Sequence, residues 1–207
     1  MLEELNPLAI DQIVYRLANP PSVSAALADL PVSLEDALET LDLFELKTAE
    51  DATTLLETPF LEDLSYKPRP TRFSDSSWRV FYSALELETA EHERGHWCRK
   101  EAQPTLGASR RFHFRQLRCR VNGYGYDLRP KGIEWAFLTG DDTYPACQAL
   151  AKEARAATAS TLLCPSARQQ NGTTTPVFVR EALSEPAILG VTILQLEPSG
   201  ELNIIRR

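Results

Sequence analysis

Residues 92–96 read His-Glu-Arg-Gly-His, a literal H-E-x-x-H. Two imidazoles four residues apart share one helix face, where they could hold a zinc ion while the glutamate activates a water. A zinc hydrolase needs a third protein ligand as well. The chain has three histidines, and the third, His113, falls in a different predicted element. Arg99 and Ala102 stand where an extended zinc motif carries glycine and histidine. The flanking ELETAE and the cations Arg94, Arg99 and Lys100 leave that helix little apolar surface to bury around a metal. Zinc hydrolysis at His92-Glu93-Arg94-Gly95-His96 is therefore the alternative reading, and no metal is expected.

A second set of residues suits different chemistry. Arg16 lies inside an apolar run, Arg72 just before another, Tyr82 within VFYSA, Glu93 eleven residues later, and Ser166 after LLCP. Arginines can grip a diphosphate through paired N–H groups. A glutamate can stabilise positive charge growing on an anomeric carbon, the electrostatic problem of glycosyl transfer. Tyrosine stacks on a flat ring while keeping a polar handle. Serine can orient a phosphate, an amide or an acceptor. Each residue also has a plain structural use: Arg16 in an ion pair, Tyr82 as a core aromatic, Ser166 as a turn cap.

The elements that must position these groups are legible in outline. IVYRLA (13–18) predicts a strand, stopped by Asn19-Pro20-Pro21. Ser33 can cap a helix, and AEDATTLLETPFLEDL (49–64) predicts a second helical stretch broken near Pro59. Between 35 and 63 stand ten Asp or Glu and one Lys, an acidic helical insertion at about 32–66. YKPRPTRF reads as a stiff linker and WRVFYSA (78–84) as a strand. LELETAEHERGHW predicts a helix terminating near Gly95. RRFHFRQLRCRV (110–121) predicts a strand whose alternation slips near Gln116, as at a bulge. GYGYDLRPKG reads as a turn-rich connection and 143–157 as a helix. STLLCPSARQQNGTTTPVFV supplies strand, loop and strand, and AILGVTILQLE (187–197) is the most strongly β-forming run. The order predicts an α+β fold in one domain over residues 1–207.

Composition narrows the function. The chain has 207 residues, 43% of them hydrophobic, and a formal charge of −7. That balance weighs against a protein built to coat nucleic acid, although five arginines crowd residues 110–120. No run suits a membrane span, and acidic MLEELNPLAI does not resemble a secretory signal, so a cytoplasmic location is expected. Cysteines 98, 119, 147 and 164 form no C-x-x-C pair and read as free thiols.

VYRLA, TRF, VFYSALELETAEHE (80–93), TYPACQALAKEARAATASTLLCPSAR (143–168) and NGTTTPVFV together resemble the RES-domain toxins of bacterial toxin–antitoxin pairs. The most specific piece is a strand tyrosine followed, eleven residues on, by a helical glutamate. The resemblance sets the family's arginines on Arg16 and Arg72, its tyrosine on Tyr82, its glutamate on Glu93 and its serine on Ser166. At the second arginine this chain has PTRFSD where the family has Gly-Gly-Arg-Trp or Gly-Gly-Arg-Phe. The resemblance implies a twisted, mainly antiparallel sheet with surrounding helices, like the ADP-ribosyltransferase fold. It implies NAD as substrate, split at the nicotinamide–ribose bond, with ADP-ribose passed to phosphate or water. Modification of a cellular protein is an alternative, as is a non-catalytic NAD- or partner-binding module on the same fold. Arg16, Arg72, Tyr82 and Ser166 would bind NAD, and Glu93, Arg16 and Ser166 would carry catalysis. The implied partner is an antitoxin with a helix-turn-helix DNA-binding region; the toxin itself need not touch nucleic acid.

Overall fold

The computed structural model describes residues 1–19, 49–61, 69–102, 109–132, 134–141 and 143–207. The predicted helix capped by Ser33 and most of the acidic insertion lie outside the described residues. Alternating apolar residues in the strand segments and helical stripes between them give a mixed α+β fold: a twisted, mostly antiparallel sheet flanked by helices.

Seven strands make one sheet: β1 (Leu8–Ala18), β2 (Phe81–Ala84), β3 (Arg110–Asp127), β4 (Thr161–Pro165), β5 (Thr173–Val177), β6 (Leu183–Leu196) and β7 (Leu202–Arg206). Their order is β1-β2-β5-β4-β3-β6-β7, and β1 also pairs with β3. The first five strands therefore close a ring. One side of β3 runs along β1 from Arg115 to Gly125; β6 pairs with its Arg110–Val121 portion and β4, in parallel, with residues 125–127. The register shifts between Gln116 and Leu117, where the alternation slips in the sequence.

The described helices are α1 (Ala49–Glu57), α2 (Leu87–Ala102) and α3 (Tyr144–Ala156). Helix α1 ends in a 3-10 turn at Thr58–Phe60, with Pro59 preventing continuation. Its Ala52, Leu55 and Leu56 bury against Ile10, Val14 and Leu117. Helix α3 seats Leu150, Ala151 and Ala154 against Phe73, Leu138 and Leu162. Helix α2 has few apolar residues, and Cys98 is its fully buried apolar contact with Leu17, Phe114 and Leu194.

Polar contacts fix α2 instead. Glu91, wholly buried, receives Nε and Nη2 of Arg206 on β7 at 2.9 and 2.6 Å and the Thr192 hydroxyl at 3.0 Å. One turn further on, a Cβ at Gly95 would collide with the Leu202 side chain of β7. The helix does not terminate near Gly95, as predicted, but runs on to Ala102. The glycine serves close helix–strand approach, so its weak helix propensity is overridden by packing.

Two further expectations need correction. GYGYD is not a turn: residues 123–127 extend β3, because Gly125 lets the Thr161 carbonyl of β4 pass against the backbone. WRVFYSA yields only the four-residue strand β2, since Trp78 turns back to donate its indole N–H to Phe73 O at 2.9 Å. Strand β7 was not anticipated. The crowded arginines of β3 are partly spent within the sheet: Arg120 pairs with Asp11 and Glu185, and Arg111 bonds Gln195. The four cysteines are free and buried. No helix among the described residues is long and apolar enough to cross a membrane.

Candidate active site

The strand β2 and the loop before it, the end of β1, helix α2 from Ala90 to Glu101 and the loop after β4 surround a cavity of about 800 Å³. Arg16, Arg72, Tyr82 and Glu93 line it, together with Arg94, His96, Trp97, Tyr144 and Arg168. Ser166 stands directly behind Glu93.

Glu93 is held from β4's exit loop. Its Oε1 accepts the Ser166 hydroxyl at 2.6 Å and the Ala167 N–H at 3.2 Å. The Ser166 oxygen in turn accepts the N–H groups of Arg168 and Gln169 at 3.1 and 3.0 Å. With two donors satisfying its lone pairs, the hydroxyl hydrogen can point only at the carboxylate. Ser166 is thus a polarised donor that aims Glu93, and Glu93 Oε2 has no protein partner among the described residues.

Arg16 projects from β1 beneath β2. Its Nη1 donates to Tyr82 O at 2.9 Å, and its guanidinium lies 4.9 Å from the Phe81 ring centroid. Its Nε is buried without a partner. Burial, then the neighbouring Arg94 charge, pushes its pKa down to about 10. An uncompensated buried cation is unfavourable, and a bound anion would relieve it.

Arg72 faces the cavity from the loop before β2, and its Nη1 is committed to Leu138 O (3.1 Å) and Gly140 O (2.8 Å). It lies over the Tyr144 ring at 5.0 Å. The Tyr82 hydroxyl shares a 2.6 Å hydrogen bond with Thr71 Oγ1 and accepts the Phe73 N–H at 3.0 Å, so it braces the Arg72 loop. Burial pushes its pKa up to about 12, keeping it a neutral donor. Gln148 of α3 ties the same loop by bonding Thr71 O and Ser74 O. Loop rigidity that glycines cannot supply comes here from side-chain braces.

His96, not His92, lines the cavity. Its Nε2 is buried without a partner, and burial, with Arg168 and Lys100 nearby, lowers its pKa to about 4. His92 lies 3.9 Å from Glu88, one turn back. Among the described residues no three His, Cys, Asp or Glu side chains gather where a metal could bind. Arg94, Trp97, Tyr144 and Arg168 were missed in the sequence. Arg94 and Arg168 follow Glu93 and Ser166 by one and two residues, and that adjacency was the available signal.

An arginine-walled cleft with one aimed carboxylate lies against a closed, mostly antiparallel sheet, and its chemistry suits an anionic ligand. The chain belongs to the RES domain family, whose model matches residues 42–194. That family is associated with toxin systems and, in general, with NAD-related toxin activity. Arg72, Tyr82, Glu93 and Ser166 fall within the match, and Arg16 precedes it. No curated protein matches the chain.

Proposed function

We propose that this protein is a toxin enzyme that cleaves the nicotinamide–ribose bond of NAD and passes ADP-ribose to phosphate or water. The observation that carries this reading is Glu93 in the arginine-lined cavity, with one oxygen fixed by Ser166 and the other unpaired. Breaking the bond sends its electron pair to the nicotinamide nitrogen and leaves an oxocarbenium-like ribose. Glu93 Oε2 stabilises that cation, in a site where fixed charges act strongly. Arg16 and Arg72 supply positive charge to the diphosphate, and the Tyr82 ring packs beside the nicotinamide ribose. An oxygen of phosphate or water then bonds to the anomeric carbon and gives up its proton as needed. NAD is thus the substrate, with no metal in the scheme. The four free, buried thiols suit a reducing compartment such as the cytoplasm, and an antitoxin with a helix-turn-helix region would silence the enzyme by closing the cleft.

Incubating the purified protein with NAD, with and without phosphate, and weighing the products tests this. ADP-ribose phosphate ester indicates phosphorolysis, and ADP-ribose indicates hydrolysis. A mass gain of one ADP-ribose on a cellular protein would move the reading to protein modification. NAD left intact with and without phosphate, and with cellular protein added, would remove it.

A further inference from the structure

Two guanidinium groups line the cavity close enough for the charge of Arg94 to act on Arg16. Arg16 comes from β1 and Arg94 from α2, the residue after Glu93. Arg16 is backed by Phe81, and Arg94 lies 4.6 Å from the Phe114 ring centroid. Each spends one terminal nitrogen on the protein: Arg16 Nη1 on Tyr82 O, and Arg94 Nη2 on Asn19 Oδ1 at 2.9 Å. Each keeps a buried Nε–H with no partner. Neither guanidinium has a carboxylate partner among the described residues, unlike Arg120, Arg129, Arg168 and Arg206. Two like charges with unmet buried donors, each steadied by an aromatic ring and one neutral acceptor, form a preorganised receptor for an anion with two charged centres.

We infer that Arg94 is a substrate-binding residue that, with Arg16, forms a two-guanidinium clamp selective for a diphosphate over a monophosphate. Arg72 has its Nη1 fixed by two carbonyls and holds the loop, so the clamp is Arg16–Arg94. Because Arg94 follows Glu93 on one helix, gripping the diphosphate also sets the carboxylate along the substrate. This inference rests on the reading of the cleft as a dinucleotide site, and pyrophosphate separates the two.

Inorganic pyrophosphate and inorganic phosphate, at matched ionic strength, are titrated calorimetrically into the wild type, R94Q and R94K. The wild type is expected to bind pyrophosphate roughly tenfold more tightly than phosphate. R94Q should lose roughly 10- to 100-fold in pyrophosphate affinity and much less for phosphate, with R94K recovering part. With NAD, R94Q should raise KM by more than it lowers kcat, a split that a merely structural residue would not give. Equal pyrophosphate affinity in folded R94Q overturns the clamp. So does a wild type with no preference between the two anions, a measurement that needs no variant. If pyrophosphate binding depends on Arg94 but NAD is not cleaved, the clamp stands and the proposed chemistry falls. If NAD is cleaved and R94Q binds pyrophosphate normally, the reverse holds.

Discussion

Ser166 Oγ lies 2.6 Å from Glu93 Oε1, joining residues 73 positions apart, and its own lone pairs are filled by the N–H groups of Arg168 and Gln169. In the proposed reaction the serine acts on the substrate through the glutamate. Replacing Ser166 by alanine leaves Oε1 with the longer Ala167 N–H bond and lets the carboxylate swing. Steady-state kinetics on S166A should show kcat down roughly 10- to 100-fold with little change in KM, and E93A should lose roughly 1,000-fold. An S166A enzyme with wild-type kcat would remove the positioning role.

Arg16 carries a charge that its burial disfavours. Its pKa is depressed to about 10 by burial and then by Arg94, so its charged form is disfavoured in the fold. That penalty is fully present below pH 10 and fades as pH rises towards the ordinary arginine value. R16M removes the charge and keeps much of the packing on Phe81. After the lost bond to Tyr82 O and solvent screening are allowed for, the variant should be roughly 1 kcal/mol more stable at pH 7. It should also fail to bind pyrophosphate. Denaturant melts showing R16M less stable than the wild type would contradict the first half.

His96 gives the fold an acid limb. Its folded pKa, about 4, lies below the unfolded value near 6.5, so the unfolded chain takes up a proton first as pH falls. Stability contributed by neutral His96 is complete above about pH 6.5 and is lost through about pH 4. Because the imidazole is only partly buried, solvent screening trims the effect to roughly 1 kcal/mol. H96N should lack this loss, read as the difference between the two proteins' melts at pH 7 and pH 4.5. Parallel pH curves would refute it.

The Glu91–Arg206 pair should behave as a buried carboxylate with a half-exposed partner, at 0% and 53% side-chain exposure. R206A strands the carboxylate and should destabilise by roughly 2–3 kcal/mol, below the value for fully buried pairs. E91Q alone should be milder, and E91Q/R206A should be less damaging than the sum of the two. Additive losses in a double-mutant cycle would show that the pair is uncoupled.

Much of the fold was legible where one period dominates. Helix α3 carries a clean apolar stripe, and the slip at Gln116 marks the register shift in β3. The sequence misled where a distant contact overrode local preference. Gly95 looked like a helix stop because Leu202 of β7 is remote in the chain, and GYGYD looked like a turn because Thr161 too lies well outside its local window. The site followed the same rule. Arg16, Arg72, Tyr82 and Glu93 line one cavity, with Ser166 behind the glutamate. Residue types alone did not reveal that Tyr82's hydroxyl and one Arg72 nitrogen are committed to loop and backbone. Nor did they reveal that Arg94 faces the cavity while His92 does not.

The Glu91–Arg206 contact spans 115 positions, and it ties down the helix that carries Glu93 and Arg94. A ribosome therefore delivers the helix long before the strand that seats it. Until β7 emerges, Glu91 has no guanidinium and the turn bearing Glu93 has no partner at Gly95. The cleft is complete only once a strand 115 residues downstream of Glu91 has joined the sheet.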